Sequence, residues 1–339
     1  MDTRSDLDSA RSRGRSVVEE ELEGFLRVYK DGSVERFSYV VSDVPASEAP
    51  QEPVASKDVV MDSRTGVWAR FYLPRKAVSR GSCRLPLIIY FHGGGFVLGS
   101  PAWSIYHVFI CRLASETNCM VMSVGYRLAP EHRLPVAYDD CLSAVEWLRQ
   151  QTRQKLLHFH SSWLSSYVDF SRCFLAGDSA GGNIAHHLAF RCARADMKPL
   201  QMRGVILLQP FFGGESPCKW ELEKAESDPN LSQRWMDVFW KLSLPVGAKK
   251  DHPACNPLSK PLRNVRLPPL LVCISENDVL KQRNMEYCQV MNNGHQNVSH
   301  VIFKDVGHAF QVLNPDSQRI PELLTVLNSF IKTNRSSSL

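Results

Sequence analysis

The sequence predicts an α/β domain built on a mostly parallel sheet flanked by helices, and three observations carry that prediction. From about residue 30, short apolar runs alternate with helix-length stretches. The later runs, at 173–177, 205–209 and 270–275, are almost continuously apolar, as strands covered on both faces by helices must be. A chain of 339 residues, 44% of them hydrophobic, is also long enough to bury one large core, so a single domain spanning 1–339 is expected.

Taken in order, strands are expected near 35–40, 58–61, 67–73, 85–91, 119–126, 173–177, 205–209, 270–275 and 301–303. Helices fit between them at about 102–117, 135–151, 182–195, 281–294 and 318–332. Two segments interrupt the rhythm. Residues 1–30 begin polar and then place Val17, Val18, Leu22, Phe25, Leu26 and Val28 at helical spacing, which predicts an amphipathic helix. Residues 213–266 lie between two strands and carry their own helical pattern around Trp235, Phe239 and Leu242. An insertion of that length is expected to be a cap over a pocket.

Composition excludes several classes of function. The net charge of +5 is spread along the chain apart from Arg11, Arg13 and Arg15, whereas a nucleic-acid partner needs a basic face or stripe. Apolar runs such as Leu87–Phe91 are too short to span a bilayer, and the first residues lack the apolar stretch of a secretory signal. The ten cysteines contain no CxxC pair and several sit in apolar runs, so free thiols in a reducing compartment are expected, cytoplasmic or also nuclear. The pairs His158/His160 and His186/His187 lack partners at ligand spacing, so no metal site is expected.

The strongest chemical signal is residues 172–183, an apolar strand running through Gly177-Asp178-Ser179-Ala180-Gly181 into a helix. A serine hydroxyl becomes a useful nucleophile only when it stands clear of the backbone beside a base, and a tight strand-to-helix turn presents it so. The following helix points its N-terminal amides at the site, and the Ala180 amide just before it is placed to donate to a developing oxyanion. Upstream, His92-Gly93-Gly94-Gly95-Phe96 follows another apolar strand, and its glycines let the main chain approach a ligand, with the Gly93 and Gly94 amides as further donors. A phosphate cradle fails there because neither GxxxxGK[ST] nor GxGxxG fits residues 93–99. His92 reads as a prop for this loop.

The remaining partners must follow Ser179 in the order acid, then histidine. The strand at 270–275 ends in Glu276-Asn277-Asp278, and the next ends in Lys304-Asp305-Val306-Gly307-His308, both where open α/β sheets bind ligands. Ser179, His308 and Asp278 therefore form the expected triad, with Asp305 and Glu276 as alternative acids. His295 and His300 read as surface residues.

HGGGF at 92–96, YRLAPE at 126–131, GDSAGG at 177–182 and GHAF at 307–310 together resemble the plant carboxylesterases of the hormone-sensitive-lipase type, within the α/β-hydrolase superfamily. The similarity runs over nearly the whole chain, including residues 23–36 and PFFGG at 210–214. It implies the α/β-hydrolase fold with an eight-stranded, mostly parallel sheet and an N-terminal lid helix. It also implies cofactor-free hydrolysis of carboxylic esters by Ser179, Asp278 and His308 with Gly93, Gly94 and Ala180 as oxyanion donors, and makes 126–131 a packing loop. The expected substrate is a small to medium ester, in a pocket lined by candidates Phe96, Trp103, Tyr106, Phe211, Phe212 and Trp240; no protein partner is implied. The same family contains the soluble gibberellin receptor, which keeps the serine but lacks the histidine and binds hormone under its lid, so the alternative reading is a non-catalytic receptor. His308 favours the enzyme. One departure stands out: residues 279–283 (VLKQR) lack an acidic residue that relatives often carry, a change expected at the rim of the site and not in the triad.

Overall fold

The computed structural model describes residues 17–37, 40–49, 51–76, 84–153, 161–224, 231–260 and 265–334. The chain divides after Ser42 into two compact units. In the first, the described residues are not helical. They form a three-stranded antiparallel sheet of β1 (Val18–Leu22), β2 (Leu26–Tyr29) and β3 (Val34–Arg36). Turn chemistry overrides the helical spacing: Gly24 (φ 79°) and Gly32 (φ 83°) take the left-handed conformation, and the Asp31 carboxylate accepts from the Ser33 amide at 2.9 Å. Residues 1–16, the rest of the expected lid, lie outside the described residues, as do His158, His160 and Cys83.

The second unit holds an eight-stranded mixed sheet. Its strands are β4 (Val54–Asp62), β5 (Val67–Pro74), β6 (Leu85–Phe91), β7 (Met120–Gly125), β8 (Val168–Asp178), β9 (Met202–Leu208), β10 (Leu270–Ser275) and β11 (Val298–Phe303), in the spatial order β11-β10-β9-β8-β6-β7-β5-β4. From β7 to β11 all pairings are parallel, while β4 and β5 join antiparallel at one edge. Every residue of β6, β7 and β10 is buried, which is why these strands read as unbroken apolar runs.

The helices are α1 (Ser104–Thr117), α2 (Val136–Arg153), α3 (Ser161–Tyr167), α4 (Ala180–Cys192), α5 (Lys219–Lys224), α6 (Gln233–Ser243), α7 (Lys281–Asn293), α8 (Phe310–Leu313) and α9 (Ile320–Thr333). The five long helices of the sequence reading are present within a few residues; α3, α5 and α8 are too short to leave a readable period. On one sheet face, Ile88, Tyr90, Phe174, Ala176, Ile206, Leu208, Leu271 and Cys273 alternate along their strands and meet Phe109, Ile110 and Leu113 of α1 and Leu323, Leu324 and Leu327 of α9. Removing one such side chain, as in Phe174→Ala, costs about 3–5 kcal/mol. Helix α4 packs on β6, β8 and β9, and so fixes the turn that precedes it. The parallel strands all end at the same edge, and four of the loops that leave it carry the candidate chemistry. The 213–266 segment leaves after β9 and contributes α5 and α6.

Candidate active site

Strand β8 runs into α4 through Ser179, whose backbone is held at φ 50° and ψ −117°. That conformation costs a non-glycine residue about 1–3 kcal/mol and persists because the surroundings over-determine it. A Cβ on Gly177 would lie 2.3 Å from the Gly181 carbonyl oxygen, and one on Gly181 would lie 1.9 Å from that of Phe91, so the turn closes only with glycine at both places. The Ser179 amide donates to the Leu208 carbonyl at 2.8 Å, anchoring the turn to β9.

Two loops at the neighbouring strand ends complete the constellation. The Ser179 Oγ lies 2.8 Å from His308 Nε2, and His308 Nδ1 lies 2.9 Å from Asp278 Oδ2. Asp278 is fully buried, and its other oxygen accepts the Leu280 amide at 2.8 Å, so the carboxylate is hydrogen-bonded on both sides. The alternative acids point elsewhere. Asp305 is exposed and pairs with Arg319 at 3.3 Å, and Glu276 accepts the Asp305 amide at 3.2 Å. His295 and His300 are both exposed.

The glycine loop differs in one donor from its sequence reading. The Gly93 amide donates to the Tyr106 hydroxyl at 2.8 Å and to Asp178 Oδ1 at 3.1 Å, so it is engaged inside the protein and is not available as an oxyanion donor. Gly93 is glycine because a Cβ there would lie 2.5 Å from Asp178 Oδ2. Among the described residues, the Gly94, Gly95 and Ala180 amides have no acceptor within the protein. Gly95, which the glycine motif did not single out, is thus left with a free amide in the same loop. His92 is the expected prop: it is fully buried, stacks on Tyr126 at 4.2 Å, and keeps Nδ1 2.9 Å from the Gly93 carbonyl. Burial pushes its pKa down to about 4, so it stays neutral.

Asp178, beside the nucleophile, is the residue whose role was not legible. Its side chain is buried and accepts from the Tyr90 hydroxyl at 2.7 Å and from the Tyr106 hydroxyl at 3.1 Å, besides the Gly93 amide. One carboxylate thus ties the end of β6, the glycine loop, α1 and the nucleophile turn together. Burial raises its pKa to about 6, against the opposing pull of the two tyrosine hydroxyls and of His308.

The six aromatic pocket candidates do not stay together. Phe96, Phe211 and Trp240 form one buried cluster with Tyr138 and Phe239, in which Phe211 and Trp240 stack at 4.3 Å. Phe212 instead packs on Tyr287 at 4.8 Å and on His186 at 5.5 Å. Tyr106 belongs to the Asp178 network, and Trp103 caps α1 and is half-buried against the core. Asn183 braces the cluster from α4: it accepts the Tyr138 hydroxyl at 2.7 Å and donates to the Phe211 and Ala254 carbonyls.

Such an arrangement can do acyl-transfer chemistry. His308 Nε2 is in reach of the Ser179 proton, and Asp278, against the other ring nitrogen, is placed to select the imidazole tautomer. Among the described residues no group of three or more His, Cys, Asp or Glu could hold a metal ion, and no helix is long and apolar enough to cross a membrane.

Comparison with known proteins agrees with this chemistry. An alpha/beta hydrolase fold family model matches residues 88–312. The chain is 41% identical to Probable carboxylesterase 6 of Arabidopsis thaliana, over 93% of this chain and 91% of that protein. It is likewise 41% identical to Carboxylesterase 20 of the same plant, over 67% of this chain and 69% of that protein. Among solved structures, an esterase of Pyrobaculum calidifontis superposes with a TM-score of 0.69 at 30% identity, covering 84% of this chain and 86% of that one. The chain belongs to the plant carboxylesterases of the hormone-sensitive-lipase type within the α/β-hydrolase family, and its activity is that of a carboxylic ester hydrolase.

Proposed function

We propose that the protein hydrolyses small to medium carboxylic esters through an acyl-enzyme on Ser179. The observation that carries this reading is the continuous contact from Ser179 Oγ through His308 to Asp278, at 2.8 and 2.9 Å. Ser179 attacks the acyl carbon while His308 takes its proton and returns it to the leaving alcohol. Water then repeats the sequence in reverse and frees the acid. Gly94, Gly95 and Ala180 donate to the tetrahedral oxyanion, and Asp278 stabilises the imidazolium. A receptor needs no such base, and the retained His308 is what separates the two readings.

The 213–266 segment acts as a cap. In support of this, Phe239 of α6 lies so close to the glycine loop that a Cβ on Gly95 would fall 2.3 Å from its ring. The nine described cysteines are all free, in keeping with a reducing, cytoplasmic or nuclear setting. Rates on 4-nitrophenyl esters of increasing acyl length, for wild type and Ser179→Ala, test the proposal. The expected result is a maximum at short to medium chains and none of it in the variant. Turnover retained by Ser179→Ala would contradict the mechanism, and a preference for emulsified long-chain triglycerides would contradict the substrate class.

A further inference from the structure

The departure after Asp278 has a structural counterpart. Residues 281–283 begin α7, three to five positions past the acid, and each of them meets the short helix α5 of the inserted segment. The Lys281 ammonium lies 4.4 Å from the centre of the Trp220 ring, with Lys224 at 5.1 Å from the same ring. Gln282 Oε1 accepts the Trp220 amide at 3.1 Å. The Arg283 guanidinium donates to both oxygens of Glu221, at 3.1 and 2.9 Å, and to the Ser216 carbonyl. The Glu221 side chain is 6% exposed and that of Arg283 16%, so this is a buried, two-pronged pair.

The contact that gives this clasp a consequence is the fourth one. The Trp220 indole N–H donates to the backbone carbonyl of Asp278 itself, at 2.7 Å. That carbonyl also accepts the Lys281 amide at 3.1 Å, and the shorter indole bond adds a second restraint on the peptide that follows the acid and hence on the direction in which its Cβ leaves the chain. The carboxylate then meets His308 Nδ1 and the Leu280 amide in the observed geometry. A six-residue helix has no stability of its own, so α5 takes its position from these contacts. A buried ion pair is a poor source of stability but a good setter of register. The same inserted segment also lies on the glycine loop through Phe239, so one excursion of the chain touches both the acid loop and the oxyanion loop.

We infer that Trp220 is a positioning residue for the triad, locked by Glu221–Arg283, through which the inserted segment holds Asp278 in line with His308. The inference rests on the ester-hydrolase reading of the site. Its test is Trp220→Phe, which keeps a ring beneath Lys281 and removes only the indole donor. Two quantities are read: steady-state kinetics on 4-nitrophenyl butyrate, and the far-downfield proton resonance of the Asp278–His308 hydrogen bond. The expected result is a kcat lower by roughly tenfold with KM within about twofold, and a displaced or broadened resonance. A folded Trp220→Phe protein with wild-type kcat and an unmoved resonance would overturn it. Should that variant not fold, Gln282→Met removes the acceptor of the Trp220 amide together with the Gln282 donor to Glu286 on its own helix, and the same displacement is expected there; its absence would be equally decisive. Lack of turnover by the wild type would count against the ester-hydrolase reading alone, since the resonance needs no substrate.

Discussion

The two halves of the site are held by different means. On the nucleophile side, the turn at Ser179 is shaped by backbone: Gly177 and Gly181 touch main chain across it, the Ser179 amide is tied to β9, and the one buried carboxylate, Asp178, belongs to the turn itself. On the acid–base side, the Glu276 and Asn277 amides tie the acid loop to the Phe303 and Val306 carbonyls of the histidine loop, and a side chain from elsewhere, Trp220 of the inserted segment, is added to these main-chain bonds. The nucleophile turn is part of the sheet's core, whereas the acid loop adds to its main-chain bonds a set of side-chain contacts from the inserted segment. The difference teaches that damage should be graded: all-or-none where backbone closes the turn, partial where side chains brace it.

The largest expected effect is loss of the nucleophile. Ser179→Ala should lower kcat by more than roughly 10⁴-fold while leaving the melting temperature near that of the wild type, measured by calorimetry beside the assay. Asp278→Asn should follow, with a loss of about 10⁴-fold, because an amide at this position favours the wrong imidazole tautomer. Next in order is Gly181→Ala. A Cβ 1.9 Å from the Phe91 carbonyl oxygen cannot be accommodated without moving β6 or the turn. Soluble yield and residual activity should fall together, and a stable, fully active variant would break the claim that backbone closure governs this side.

Asp178→Asn probes the same side more gently, with an expected loss of roughly ten- to a hundredfold in kcat as the glycine loop loses its anchor. It also carries a signature in pH. Asp178 has a pKa of about 6 in the folded protein against an ordinary 3.8. Below the ordinary value it is protonated in both states, so its favourable contribution is fully present there; as pH rises through 4 to 6 the unfolded chain ionises first and that contribution is lost. The change amounts to about 3 kcal/mol across the window. Chemical denaturation from pH 4 to 6 should show the wild type losing stability relative to Asp178→Asn, and parallel profiles would contradict the assignment. The smallest catalytic effect is expected at Arg283→Met, which strands Glu221 in a buried position. Stability should drop by about 3 kcal/mol or more by urea denaturation, with activity reduced only in part.

How far the sequence could be read follows the same division. The turn at 177–181 and the glycine loop at 92–96 were legible because backbone geometry imposes residue types at fixed spacing, and strand ends could be recognised from buried apolar runs. Asp278 and His308 were legible through their order after strands. Asp178 was not, since a buried carboxylate beside a nucleophile reads as a motif letter until Tyr90 and Tyr106 are seen around it, from 88 and 72 positions away in the chain. That the Gly93 amide is engaged within the protein is not legible either, because its acceptors, Tyr106 on α1 and Asp178, are far away in the chain. Residues 17–28 are misread for the opposite reason. Their apolar spacing fits a helix, but two glycine turns and an Asx turn make strands of it. The role of Trp220 depends on the fold of the whole inserted segment and leaves no local pattern.

The central claim is that ester hydrolysis passes through an acyl group carried by Ser179. Its most direct test is acid quenching of the protein during turnover of a 4-nitrophenyl ester, followed by intact-mass and peptide mass spectrometry. The account predicts one acyl adduct, located on the peptide containing Ser179 in the wild type and absent from Ser179→Ala. An adduct on another residue, or turnover of the same ester by Ser179→Ala at the wild-type rate, would contradict it.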